Sequence, residues 1–245
     1  MIPERNNDDA VSDTVGFILI FGIVILSMGL IYSAGYPLLQ SNMDASIFES
    51  TEQSFIVLQS NMKMVSYDQV PVKNLKMKLY SAGLSSSDRS SMTIEYSGGG
   101  SPVTYSTGEI EYHKDDKVIT YENGCVWKRY ASGEGIMVSD PNIYTSTMNG
   151  KDITTIGVVS MQGISSAGGS SIINLNMQHN SSTLTRTSSP VDVTVKINNT
   201  YAPVWKEYLE GTGFTVTNYT DSNLTAQRNN TLLVVGHHVV DVEIS

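Results

Sequence analysis

Residues able to do metal or nucleophile chemistry are few in this chain. Four histidines occur, His113, His179, His237 and His238. Zinc needs several converging ligands, commonly at a His-Glu-x-x-His or Cys-x-x-Cys spacing, and neither spacing is present. His237 and His238 are adjacent, so on a strand they would point to opposite faces and only one could join a given site. The single cysteine, Cys125, has no nearby pattern that marks a base and an orienter. Asp115, Asp116 and Asp152 are oxygen donors of the kind calcium takes, but without EF-hand spacing. Gly98-Gly99-Gly100 is not followed by a helical pattern, so it is a loop and not a phosphate cradle. No Gly-x-Ser-x-Gly elbow occurs. The expectation is a protein that is not an enzyme, with no catalytic, cofactor-binding or metal-binding residues and no cofactor.

A different chemistry is written near the C-terminus. Asn180, Asn198, Asn218, Asn223 and Asn229 each open an Asn-x-Ser/Thr acceptor for N-glycosylation. They would be used only if that part of the chain lies outside the cell. The formal net charge is −9, which disfavours nucleic acid as a partner because phosphates attract basic surfaces. One cysteine allows no intrachain disulfide, so a domain outside the cell would rest on packing alone.

The element that must position everything else is the stretch from Thr14 to Met43, which contains no Asp, Glu, Lys, Arg or His. Residues 15–39 make roughly 25 apolar positions, enough for one helix across a ~30 Å hydrocarbon layer. The preceding residues 1–10 are short, polar and acidic overall, unlike the basic start of a secretory signal peptide. The apolar run is therefore expected to be retained, with membrane lipid as its partner. Arg5 is the basic residue before it, and Lys63 is the first after it. That asymmetry puts the N-terminus in the cytoplasm and the C-terminal domain outside. Tyr32 and Tyr36 fall about 26–31 Å beyond Val15 along a helix, where an interfacial aromatic belt belongs. Pro37 is expected to kink the helix. Gly22, Gly29 and Ser33 share one face, on which small side chains would let another helix approach closely.

The run Asp9-Ala10-Val11-Ser12-Asp13-Thr14-Val15-Gly16-Phe17-Ile18-Leu19-Ile20 resembles the start of archaeal type IV pilin-like proteins. With Tyr121-Glu122-Asn123-Gly124 and Trp205-Lys206-Glu207-Tyr208-Leu209, it is similar to a family of uncharacterised haloarchaeal and methanogen membrane proteins with such an N-terminus. The resemblance implies a prepilin-type peptidase as a partner, cutting between Ala10 and Val11. It also implies other pilin-like subunits, or copies of this chain, as neighbours in a surface filament. Two departures stand out: Asp8 and Asp9, not a basic residue, precede Ala10, and Val15 occupies the position where a mature pilin often carries an acid.

Beyond Pro37, Leu39, Met43, Ile47, Phe55, Leu58, Met62 and Val65 recur at helical period, opposite Asp44, Glu49, Glu52 and Gln53. One helix over 11–67 is predicted, with its apolar stripe packed on the chain's own domain. Residues 72–245 then read as strands. Asn123-Gly124 between Val118–Tyr121 and Val126–Tyr130 predicts a type I′ hairpin. Further strands are predicted at 153–161, 171–178, 191–197 and 232–244, and Ala202–Leu209 reads as a short helix with Trp205 and Leu209 on one face. The fold expected is α+β: a long N-terminal helix, transmembrane then amphipathic, and an antiparallel sandwich-like domain with one short helix. The function expected is a pilin-like surface protein. The alternative is a monomeric membrane-tethered binding module, and a tethered hydrolase is least favoured.

Overall fold

The computed structural model describes residues 8–130 and 133–245, with side chains described from Thr14 onward. Two compact units divide the chain, Met1–Ser50 and Thr51–Ser245. The first unit is entirely helical where it is described. Helix α1 (Asp8–Ser66) passes through Pro37 without a break in its assignment. A single proline removes one hydrogen bond without ending the helix. Large apolar side chains between Val15 and Leu39 are 45–72% exposed. Phe17 stacks on Phe21 at 6.4 Å and Tyr32 on Tyr36 at 5.5 Å, the i to i+4 neighbours that helical geometry creates.

In the second unit α1 becomes amphipathic in fact. Phe55, Leu58, Met62 and Val65 are fully buried, while Val57 and Met64 face outward. The predicted stripe is therefore buried only in its later part; Leu39 and Met43 remain 59% and 56% exposed. Gln59 donates from Nε2 to the Gly124 carbonyl at 2.6 Å and to the Asp140 carbonyl at 3.1 Å. Lys128 pairs with Glu52 at 2.6 Å. The helix stops at Ser66, where Gln69 takes a positive φ of 52° and the Val70 N–H reaches back to the Met64 carbonyl. This is the left-handed closure that satisfies terminal carbonyls.

The chain then runs through β1 (Val72–Lys78), β2 (Ala82–Ser87), β3 (Ser91–Tyr96), β4 (Val103–Ser106) and β5 (Glu109–Lys114). Next come β6 (Lys117–Glu122), β7 (Cys125–Tyr130), β8 (Ile136–Ser139), β9 (Ile143–Met148) and β10 (Lys151–Gln162). The last elements are β11 (Ser166–Gly169), β12 (Ile172–Arg186), β13 (Val191–Asn198), helix α2 (Pro203–Gly211), β14 (Thr215–Tyr219) and β15 (Asn223–Ile244). A six-stranded sheet has the order β11-β2-β5-β6-β7-β8. A nine-stranded sheet follows β1-β12-β15-β13-β3-β4, with β10 and β14 also on β15, and β9 on β10. The β6–β7 hairpin turns on Asn123 and Gly124, both at positive φ, as a type I′ turn requires.

Two strands run longer than their apolar alternation. β15 begins at Asn223, not near 232, because pairing continues past Asn230, itself at φ 52°, with a register shift opposite β13. β12 extends to Arg186 through a bulge near His179, and its polar second half is held by backbone pairing to β15. One pair departs from the antiparallel pattern: β10 lies parallel to β15, Ile153 beside Leu232 through Gln162 beside Asp241. The long path through β11–β14 supplies the crossover that parallel neighbours need.

Both sheets and α2 feed one core. Trp127 of β7, Val193 and Val195 of β13, Ile156 of β10 and Trp205 and Leu209 of α2 belong to it, each fully buried. Truncating a fully buried aromatic removes its transfer energy and leaves a cavity. Phe55→Ala is expected to lower the unfolding free energy by about 3–4 kcal/mol. Val57→Ala, on the exposed side, should change it by less than about 1 kcal/mol. Urea titration of the full chain in detergent, followed by tryptophan fluorescence, measures both.

Candidate functional site

The apolar helix carries small residues along one face. A Cβ added at Gly22 or Gly29 would meet nothing within 4 Å. The Ser33 hydroxyl is turned back on its own helix, donating to the Leu30 carbonyl at 3.2 Å, and Ser27 does the same to Ile23 at 2.7 Å. These bonds hide the polar atoms and leave a shallow face, the geometry that permits close helix approach in lipid. Ala10 and Val11 lie in the first turns of α1, but their side chains fall outside the described residues.

The second feature is an open groove of about 1310 Å³ between the β7–β8 region and the outer side of α2. Tyr130, Tyr201, Tyr208 and Tyr219 line it, with Glu134, Asp140, Glu207, Glu210 and Lys206. Arg129 lies 4.8 Å from the Tyr201 ring centre and Lys206 4.6 Å from that of Tyr219. Tyr208 donates to the Ile143 carbonyl at 2.6 Å, and burial pushes its phenol up to about 12. Helix α2 thus buries Trp205 and Leu209 inward while its other side forms a groove wall.

The third feature was not legible in the sequence. Glu109 and Glu122 are direct cross-strand partners on β5 and β6, and both are buried. Glu109 is well supplied: Arg89 pairs with it at 2.7 Å, and Ser87, Ser90 and Thr200 donate to it at 3.1, 3.1 and 2.7 Å. Among the described residues Glu122 is met by neutral donors, Asn199 Nδ2 at 2.8 Å and Trp205 Nε1 at 3.4 Å, with the Trp127 indole also favouring its charged form. Burial pushes its carboxyl up to about 7, against the pull of those donors. The two carboxyls stand in alternating strands where glutamate normally marks a solvated face. The available signal was their equal distance from the Asp115-Asp116 turn between β5 and β6.

The histidines fall as adjacency dictates. His237 Nε2 bonds Ser160 Oγ at 2.9 Å, and its ring lies 4.6 Å from that of Tyr105. His238 faces the other way: Nδ1 meets Ser182 Oγ at 2.8 Å, and the ring also hydrogen-bonds the Ser66 carbonyl that ends α1. His179 Nε2 is 3.0 Å from the same Ser182 hydroxyl. Burial lowers both His237 and His238. Cys125 is buried, its thiol donating to the Glu122 carbonyl at 3.0 Å, and burial pushes it well up, which disfavours a thiolate. Among the described residues no three His, Cys, Asp or Glu side chains converge as a metal would need. Asn180, Asn198, Asn218, Asn223 and Asn229 are all exposed; Asn198 and Asn223 are direct partners across β13 and β15.

Residues 10–243 match a family of unknown function, DUF7289. The chain belongs to this family. The family match takes in α1 from Ala10 and nearly all of the sheets. The chain is also similar to an uncharacterised protein of Archaeoglobus fulgidus, 20% identical over 224 residues, covering 83% of this chain and 82% of that one. No solved structure matches. The apolar helix is compatible with a single-pass membrane anchor.

Removing the cation from a buried carboxylate is costlier than removing the pair. Arg89 is half exposed, so the effect is moderated by water. Arg89→Met is expected to lower stability by roughly 2 kcal/mol at neutral pH, and Arg89→Met with Glu109→Gln by less than half of that. Chemical denaturation of the three proteins checks the cycle.

Proposed function

We propose that this protein is a pilin-like structural and interaction protein of the archaeal cell surface. Its N-terminus faces the cytoplasm, its apolar helix sits in the membrane or in a filament core, and its β-domain is presented outside. The observation that carries this reading is the uncharged, fully exposed helix with its Gly22, Gly29 and Ser33 face, continuous in chain with a folded β-domain. A prepilin-type peptidase cuts between Ala10 and Val11. The freed helix then packs against pilin-like subunits or other copies of itself. The exposed sequons carry glycans on the outer domain. The protein is not an enzyme, and it uses no cofactor and no nucleic acid.

A second reading is a membrane-tethered binding module that does not polymerise. The tyrosine- and carboxylate-lined groove beside α2 favours it.

Mass spectrometry of the mature N-terminus separates processing from its absence. A chain starting at Val11 is expected; an intact Met1 contradicts pilin-type maturation. Gly29→Leu should reduce the protein recovered in sheared surface material by about tenfold or more while its membrane level stays unchanged. Equal recovery of the variant, or none of the wild type, favours the tethered monomer.

A further inference from the structure

We propose that Glu122 is a protonation latch for helix α2: a proton on its carboxyl holds the helix and its lead-in segment on the sheet, and loss of that proton frees them. The geometry begins with an unmet need. Asn199 donates from Nδ2 to Glu122 Oε2, but its own Oδ1 is buried with no hydrogen-bond partner. A neutral carboxyl brings the O–H that such an acceptor lacks, whereas an ionised one can only accept. The neutral acid is thus the form that can satisfy both ends of the amide.

The ionised form is poorly provided for. The groups facing Glu122 come from four elements. From β5 comes Glu109, whose negative charge raises the cost of a second one. Arg89 is spent on Glu109, with Glu111 as its weaker contact at 3.9 Å. From β7 come the Trp127 indole, which favours the charged carboxyl, and the Cys125 thiol, which Glu122 and Asp140 both push up. From the segment leading into α2 comes Asn199, and from α2 itself Trp205, neither of which titrates; Thr200, beside Asn199, donates to Glu109. No cation pairs with Glu122 among the described residues. A buried charge left so gains most by reaching water.

The yielding element is set by where the bonds originate. Glu122 and Glu109 are fixed in paired strands. Their donors Asn199, Thr200 and Trp205 lie on one short stretch outside the sheets. Releasing that stretch exposes both carboxyls and leaves the strand pairing intact. It loses the Asn199 and Ala202 N–H bonds to the Ser222 and Asp221 carbonyls and the burial of Trp205 and Leu209, so the shift in the open population is a partial one. It also moves the groove wall that Lys206, Glu207 and Tyr208 form. Because the Glu122 carboxyl sits above its ordinary range, seating of α2 is complete below about pH 4.5 and declines as pH rises through about 7.

Hydrogen exchange of the full-length protein in lipid nanodiscs, corrected for intrinsic rates, reads this directly. From about pH 5.5 to about pH 8.5 the amides of residues 203–211 should lose at least about tenfold protection, while those of β15 hold. Glu122→Gln, which keeps both an acceptor and a donor for Asn199, should abolish that response and leave α2 protected throughout. Infrared spectra of the wild type should show a buried carboxylic-acid carbonyl band that fades over the same interval and is missing from the variant. An α2 protection that does not vary with pH, the same variation in Glu122→Gln, or no such band in the wild type at about pH 5.5, each overturns the latch.

Discussion

An apolar surface that its own unit leaves uncovered governs the account of this chain. The large side chains between Val15 and Leu39 stand 45–72% exposed, with no charge among them. Keeping that surface in water would cost on the order of 20–30 kcal/mol, more than the whole stability of an ordinary domain. Lipid, or a sheath of similar helices, is the environment that removes the cost. The glycines that would weaken a helix in water become useful there, since close packing replaces the missing hydrophobic force.

The same helix meets a different demand after Ser50. There one face must join a protein core, and Phe55, Leu58, Met62 and Val65 do so. Polar contacts set its register: Gln59 on the β6–β7 turn, Glu52 on Lys128, and His238 on the terminal Ser66 carbonyl. The β15 strand gives this arrangement a spine, because it borders β10, β12, β13 and β14 along its length. Burial in the second unit therefore comes from long-range pairing and from one helix that supplies a ready-made apolar edge.

Much of this was legible in the residues. The uncharged run, the helical stripe from Phe55 to Val65, the Asn123-Gly124 hairpin and the Pro203–Gly211 helix each follow from local rules of charge, period or turn chemistry. What was not legible depends on distant partners. The parallel placement of β10 beside β15 has no local signal, since both strands read as apolar runs whatever their neighbours. The polar extension of β12 is a strand only because β15 offers it backbone partners. Glu109 and Glu122 look like surface glutamates until Arg89, Thr200 and Asn199 are brought to them from far along the chain. The groove likewise gathers tyrosines from three separate segments.

The central claim is a retained membrane helix with the β-domain beyond the lipid, and the chain's lone cysteine makes it directly measurable. Cys125 is buried and weakly nucleophilic, so the folded protein should not react with a membrane-impermeant maleimide. A Ser101→Cys variant places a reactive thiol at an exposed turn of the β-domain. The account predicts that this variant, held in the alkaline-carbonate-resistant membrane fraction, is labelled in intact cells as fully as after lysis. Labelling only after lysis, or recovery of the chain as a soluble monomer from unsheared cells, would contradict it.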